Sequence, residues 1–221
     1  PDEILMTTPS VRQRLDLERS VDRDVIAECM EIAVHAPNGS NQQPYRFIFV
    51  DDDETKAKLA AIYRAAMADF VGRPRTDAAE DQVDRTSEAQ KRIAQSVAYL
   101  AENIEKVPVL CVPVVAGRTD GNGSGAHADR TSTFWQAGRW GSVVPALWSF
   151  MLALRSRGLG SAWTTLTLIR EREVAEVLGI PYEEWMQVGL FPIAHTIGTD
   201  FRITPRKPAE ELTRWNQFRS S

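Results

Sequence analysis

The chain has 221 residues, of which 43% are hydrophobic and 25% charged, and a net charge of -4. This describes one domain with a sizeable core, or two small ones at most, and excludes a disordered chain. The acidic balance excludes a non-specific binder of phosphate backbones. Cys29 and Cys111 are the only cysteines, and His35, His127 and His195 have no ligand-like spacing, so neither a disulfide scaffold nor a metal site is expected. The longest strongly apolar stretch, Val143 to Leu154, is too short to span a membrane and carries Pro145 and Ser149. The first residues lack a signal-peptide pattern, and a cytoplasmic protein is expected.

The first predicted helix follows Val21, with Asp22 as its cap. Val25, Cys29, Ile32, Ala33 and Ala36 lie on one face, and Pro37 stops the helix. Residues 37–44 read as a turn-rich loop, and Tyr45 to Val50 as a strand. A helix from Asp52 or Asp53 carries a stripe of Leu59, Ile62, Tyr63, Ala66, Met67 and Phe70. Gly72 to Arg85 is polar and reads as a surface crossing. The next helix carries Ile93, Val97, Leu100, Ala101 and Ile104. Val107 to Ala116 reads as a central strand buried on both faces, although Pro108 and Pro113 cannot donate to a ladder.

Gly117 to Ser132 reads as a mobile, lid-like loop, flanked by His127, Trp135 and Trp140 as candidate stacking residues. A buried helix is expected from Gly141 to Gly158, with Pro145 in its first turn. A strand over Ser161 to Leu168, a helix over Arg170 to Leu178 and a strand over Met186 to Ala194 follow. Residues 200–221 read as a basic arm, anchored on something by Leu212, Trp215 and Phe218.

No hydrolase nucleophile elbow, P-loop or dinucleotide fingerprint is present. The densest polar cluster is 37–44, where Asn38, Asn41, Gln42 and Gln43 place four neutral amides within six residues. Amides both donate and accept without charge, which suits a heterocycle or a polyol; the alternative is a plain hydrophilic turn. Arg12 and Arg14 form one basic cluster and Arg206 with Lys207 another. Arginine forks match phosphate oxygens, and the alternative is two solvated termini. In Gly158 to Thr165, small residues allow backbone N–H groups close to a flat ligand, or simply mark a helix stop and a strand start.

Taken in order, these motifs resemble the nitroreductase family of FMN enzymes. Ser10-Val11-Arg12, or in a second register Arg12-Gln13-Arg14, resembles the family's phosphate motif. Ala36-Pro37-Asn38-Gly39-Ser40-Asn41-Gln42-Gln43-Pro44-Tyr45 resembles its amide loop, with Asn38 for the common serine and Tyr45 for the common tryptophan. Gly158 to Trp163 and Arg206 to Glu211 resemble its remaining two motifs. The resemblance implies a single α+β domain over 1–221, with a mixed central sheet flanked by helices, in an intertwined homodimer. The arm, about 200–221, would pack on the partner subunit and FMN would lie at the interface.

It also implies NAD(P)H-dependent reduction of nitroaromatic, quinone or similar electron-poor acceptors. Hydride would pass through the flavin in a ping-pong scheme, with NADPH or NADH as donor. By the same resemblance Arg12, Arg14, Arg206 and Lys207 are phosphate candidates. Pro37, Asn38, Ser40, Asn41 and Gln43 line the flavin, the last three at the ribityl chain and ring edge. Backbone groups of Trp163, Thr164 and Thr165 face its reactive nitrogen. No side chain is expected as a general acid. The alternatives are a flavin-sequestering protein with little turnover, or a flavin-fragmenting or reductive-dehalogenating relative.

Overall fold

A computed structural model describes residues 2–72, 87–124 and 130–218. A short helix α1 (Asp2–Met6), not anticipated from the sequence, opens the chain. Helix α2 (Arg23–Ala33) starts where expected, with the Asp22 carboxylate accepting from the Asp24 N–H at 2.9 Å. It ends at Ala33, three residues before Ala36. Ile26, Cys29 and Ala33 are buried, whereas Ile32 falls at the edge of that face and is exposed.

Strand β1 (Tyr45–Val50) matches its expected span. Helix α3 (Asp53–Gly72) buries most of its stripe but leaves Phe70 exposed. Helix α4 (Glu88–Asn103) buries Leu100 and Ala101 and exposes Ile93. The expected polar crossing, beyond Gly72, lies outside the described residues.

Strand β2 (Val109–Ala116) organises the molecule. It pairs antiparallel with β1 along one edge, Tyr45 facing Val115 and Val50 facing Leu110. Its other edge is shared. Residues 114–116 pair with β4 (Trp185–Gln187), and 109–111 with β5 (Phe191–His195). Pro113 sits at the switch between these two partners, where its carbonyl accepts from Val188 N–H at 2.9 Å and no ladder donor is required. Strand β3 (Leu159–Ser161) completes the order β1-β2-β5-β3. Every strand pairing among the described residues is antiparallel, where a mixed sheet was expected.

Because side chains alternate along a strand, β2 feeds two cores. Val109, Cys111 and Val115 pack with α2 and with α5 (Thr133–Ser156). Leu110, Val112 and Val114 pack with α3, α4 and α6 (Glu171–Leu178). The result is helices on both faces of one sheet.

Three further expectations are corrected. Helix α5 begins eight residues before Gly141, so Pro145 lies inside it rather than in its first turn. The stretch 133–141 holds two glycines and aromatic residues of modest helix propensity, which hid the start. The strand expected over 161–168 stops at Ser161. Thr164 makes one bridge to Leu190, and Leu166–Arg170 coils as a 3-10 turn against α3. The strand expected over 186–194 is split at Gly189, whose φ of 146° suits glycine alone. Within the expected lid, residues 125–129 lie outside the described residues, His127 among them. A short helix α7 (Ala209–Leu212) interrupts the arm, where Leu212, Trp215 and Phe218 are exposed. No described helix is long and apolar enough to cross a membrane.

Candidate functional site

Residues 11–16 run beside β3 and β5. Val11 N–H donates to Ser161 O at 2.8 Å, Asp16 N–H to His195 O at 2.8 Å, and Leu15 bridges Thr196. Val11 and Leu15 are buried and fix this segment. Gly160 is what lets it lie so close, since a Cβ there would stand 2.7 Å from Thr196 Cγ2 and 2.9 Å from Val11 Cβ. The space at Gly160 is therefore taken by side chains of this chain and is not left for a ligand.

Arg12 projects from this segment into a cavity of about 640 Å³ between α3, α4 and residues 163–166. Met67, Phe70, Ile93 and Val97 give it apolar walls; Gln90 and Lys91 are polar. Among the described residues, Arg12 Nη1 makes only a long contact of 3.5 Å to Ser96 Oγ, and its buried Nε has no hydrogen-bond partner. Burial lowers its pKa, opposed by Tyr63. Tyr63, read from sequence only as part of an apolar stripe, is 1% exposed, and its hydroxyl lies 3.0 Å from Thr164 Oγ1. Burial raises the phenol's pKa against that hydrogen bond and the charge of Arg12. A buried tyrosine needs a partner for its hydroxyl, and that need was the available signal.

The 163–165 segment is held firmly. Trp163 Nε1 donates to Val188 O at 2.9 Å, and Thr164 and Leu190 exchange backbone hydrogen bonds of 3.0 and 2.8 Å. Gly189 permits this contact, because a Cβ would stand 2.7 Å from both Thr164 O and Trp163 Nε1. The Trp163 ring stays partly exposed at the cavity.

The amide loop lies elsewhere, against α5. Gly39 N–H donates to Ser142 Oγ at 3.1 Å, and that hydroxyl donates to Gly138 O. Asn38 staples the loop, its Oδ1 accepting from Gln43 N–H at 2.8 Å. Gln43 Nε2 donates to Val34 O at 3.2 Å. Ser40, Asn41 and Gln43 have φ of 53°, 54° and 47°. Three non-glycine residues in the left-handed region within four positions store strain, which accumulates where surroundings demand a shape for function. Ser40, Asn41 and Gln43 are exposed.

The structure thus brings Arg12 together with Trp163, Thr164 and Thr165. Within one chain it does not bring Pro37 to Gln43 to that cavity. Arg14 turns away, paired with Asp200, and Arg206 and Lys207 are exposed on the arm. Trp135 lies under Arg130, 4.5 Å from the guanidinium carbon to the ring centroid, and Trp140 packs on the core. The unpartnered guanidinium nitrogen, the indole face and the apolar walls fit a flat ligand with an anionic tail.

Residues 5–195 match the Nitroreductase family. The chain belongs to the nitroreductase family. Its fold is also shared with solved structures. Oxidized iodotyrosine deiodinase, solved with FMN and 3-iodo-L-tyrosine, superposes with a TM-score of 0.71 at 19% identity, over 98% of this chain and 99% of that one. The FMN- and NADPH-dependent nitroreductase NfnB of Sphigopyxis sp. strain HMH gives 0.68 at 23%, over 98% and 99%. In sequence, the 5,6-dimethylbenzimidazole synthase of Rhodospirillum rubrum is 27% identical over 164 residues, 74% of this chain and 67% of that protein. These three names denote different reactions, so family membership alone does not select the acceptor.

Proposed function

We propose that this nitroreductase-family protein is an FMN-dependent oxidoreductase, a single domain acting as a homodimer, that uses NADPH or NADH to reduce electron-poor acceptors such as nitroaromatics and quinones. The observation that carries the reading is the buried Arg12 Nε, without a partner among the described residues, in a cavity walled by Trp163 and by apolar side chains. An unpaired buried guanidinium donor is costly unless a ligand satisfies it. When bound, FMN supplies a ring that accepts hydride and passes it on.

Arg12 would hold the phosphate by charge-assisted bonds. The Leu190 pairing, which uses both backbone groups of Thr164, would fix the strip so that the neighbouring Thr165 presents its backbone N–H to the ring. Met67, Phe70, Ile93 and Val97 would exclude water and stack an aromatic acceptor. The exposed, strained loop of Ser40, Asn41 and Gln43 would serve the partner subunit's cavity, which accounts for its distance from Arg12 in its own chain. The exposed arm, with Arg206 and Lys207, would close over the partner.

The test is an absorbance spectrum of the purified protein, then titration with NADPH and NADH and turnover with a quinone and a nitroaromatic. Flavin bands that bleach on nicotinamide addition and return with acceptor are expected. A protein without flavin bands, and indifferent to added FMN, would overturn the reading. Bleaching without turnover would mark a sequestering protein, and fragmented flavin or released halide would mark the other relatives. Arg12→Ala should weaken FMN retention by about one to two factors of ten, from the loss of charge-assisted bonds worth roughly 1.5–3 kcal/mol.

A further inference from the structure

The root of the arm is wrapped around one side chain. Arg14 Nε donates to Ile197 O at 2.8 Å, and Nη2 donates to Asp200 Oδ1 at 2.6 Å. Its guanidinium carbon stands 4.3 Å from the centre of the Phe201 ring. Arg155, from the last turn of α5, also covers that ring at 4.6 Å and donates to Thr199 O at 3.1 Å. Backbone bonds close the loop, from Ile197 N–H to Arg14 O and from Phe201 N–H to Thr199 O. Gly198, at φ 75°, passes so near that a Cβ would lie 2.6 Å from Arg14 Nη2. The Arg14 hydrogen bond holds the Asp200 carboxyl below the usual range.

Beyond Phe201, the hydrogen bonds and ion pairs of residues 202–218 are internal to that segment, among the described residues. Examples run from Thr213 Oγ1 to Ala209 O and from Arg214 to the carbonyls of Glu210 and Glu211. The direction of the arm is therefore set at its root. Arg206 is five residues past Phe201, a reach of roughly 17 Å at most.

We propose that Arg14 is a positioning residue: by clasping 197–201 it fixes the direction in which the arm carries Arg206 and Lys207 away from the sheet, and it stands outside the anion-binding set. The purpose of Arg206 and Lys207 rests on the function proposed above; the clasp does not. The basic cluster at the N-terminus thus divides its labour, Arg12 facing the cavity and Arg14 facing the arm. The clasp uses the planar fork and the ring-stacking face of arginine, neither of which lysine offers.

The test measures tryptic cleavage after Arg206 in the intact protein and FMN retention in the same variants. Arg14→Lys, which preserves charge, should speed cleavage about tenfold and weaken FMN retention nearly as much as Arg14→Ala, because the fork is lost. Asp200→Asn alters an exposed side chain and should shift both readouts in the same direction by about threefold, as expected for one exposed ion pair. Added to Arg14→Ala, it should contribute nothing further, since both changes open one clasp. Full FMN retention and unaltered cleavage in Arg14→Lys, with loss of FMN in Arg14→Ala, would make Arg14 an anion ligand and overturn the proposal. Additive effects would overturn it as well. Should the wild-type protein hold no FMN, the functional reading falls, while the cleavage readout still decides the clasp.

Discussion

Arg118 has the most demanding environment of any described side chain. It is 1% exposed and binds the carboxylates of Asp120 and Glu171, the carbonyls of Tyr182 and Trp185 at 3.0 and 3.1 Å, and the face of Tyr182. Glu171 also accepts from Gln187 N–H at 2.7 Å, so this one network ties the loop after β2 to α6 and β4. Arg118→Met should lower unfolding free energy by about 3–5 kcal/mol in denaturant titrations, because it strands a largely buried Glu171 carboxylate. Partial burial opposes ionisation of Asp120, but the hydrogen bonds from Arg118 and Asn122 outweigh it and hold the carboxyl well below its usual range. Its contribution is complete above the ordinary carboxylate value of about 3.9 and is lost as the pH falls below it. Amide protection factors over 117–124, taken against the intrinsic exchange rate at each pH, should fall in that acid window and stay constant above it. None of this network is legible in the sequence, where Arg118 sits in a stretch that reads as a mobile, lid-like loop. Its four polar partners arrive from 2 to 67 residues away, and no local pattern announces them.

The elements that could be read were those whose period the core enforces. Strand β2 shows no polar residue because both of its faces are buried, and α3 repeats its stripe because one face meets the sheet. Where tertiary contact overrides propensity, the reading failed. Thr164 to Leu168 alternates like a strand, yet the chain leaves the sheet there to place Thr164 against Leu190 and Tyr63. The amide loop was visible as a composition, but its left-handed residues were not. Gly160 is legible as a small residue, but not what fills the space beside it, since its neighbours Val11 and Thr196 are far away in sequence. Gly160→Ala should therefore push the 11–16 segment off β3. We expect a stability loss of about 1–3 kcal/mol from overpacking, and in the same variant a lower FMN retention, because Arg12 rides on that segment. Thermal unfolding and a flavin-release assay check the two halves separately.

For the whole molecule, the exposed apolar side chains are informative by their grouping. Ile203, Leu212, Trp215 and Phe218 are 61–88% exposed along one arm, an arrangement that a monomer seldom tolerates. In the proposed dimer they find their surface on the second chain. A protein ending at Phe201 should sediment as a monomer under conditions where the full chain sediments as a dimer, and an unchanged dimer would remove the arm from the interface. The seating of residues 11–16 on β3 and β5 has one more consequence, which concerns biosynthesis. Contacts that join residue 11 to 161 and residue 14 to 197 close very long loops, and such closures come late in folding. During translation the strip bearing Arg12 leaves the ribosome about 150 residues ahead of the strands that form its berth. The nascent polypeptide must therefore keep residues 11–16 in waiting until residues 159–197 have followed them out.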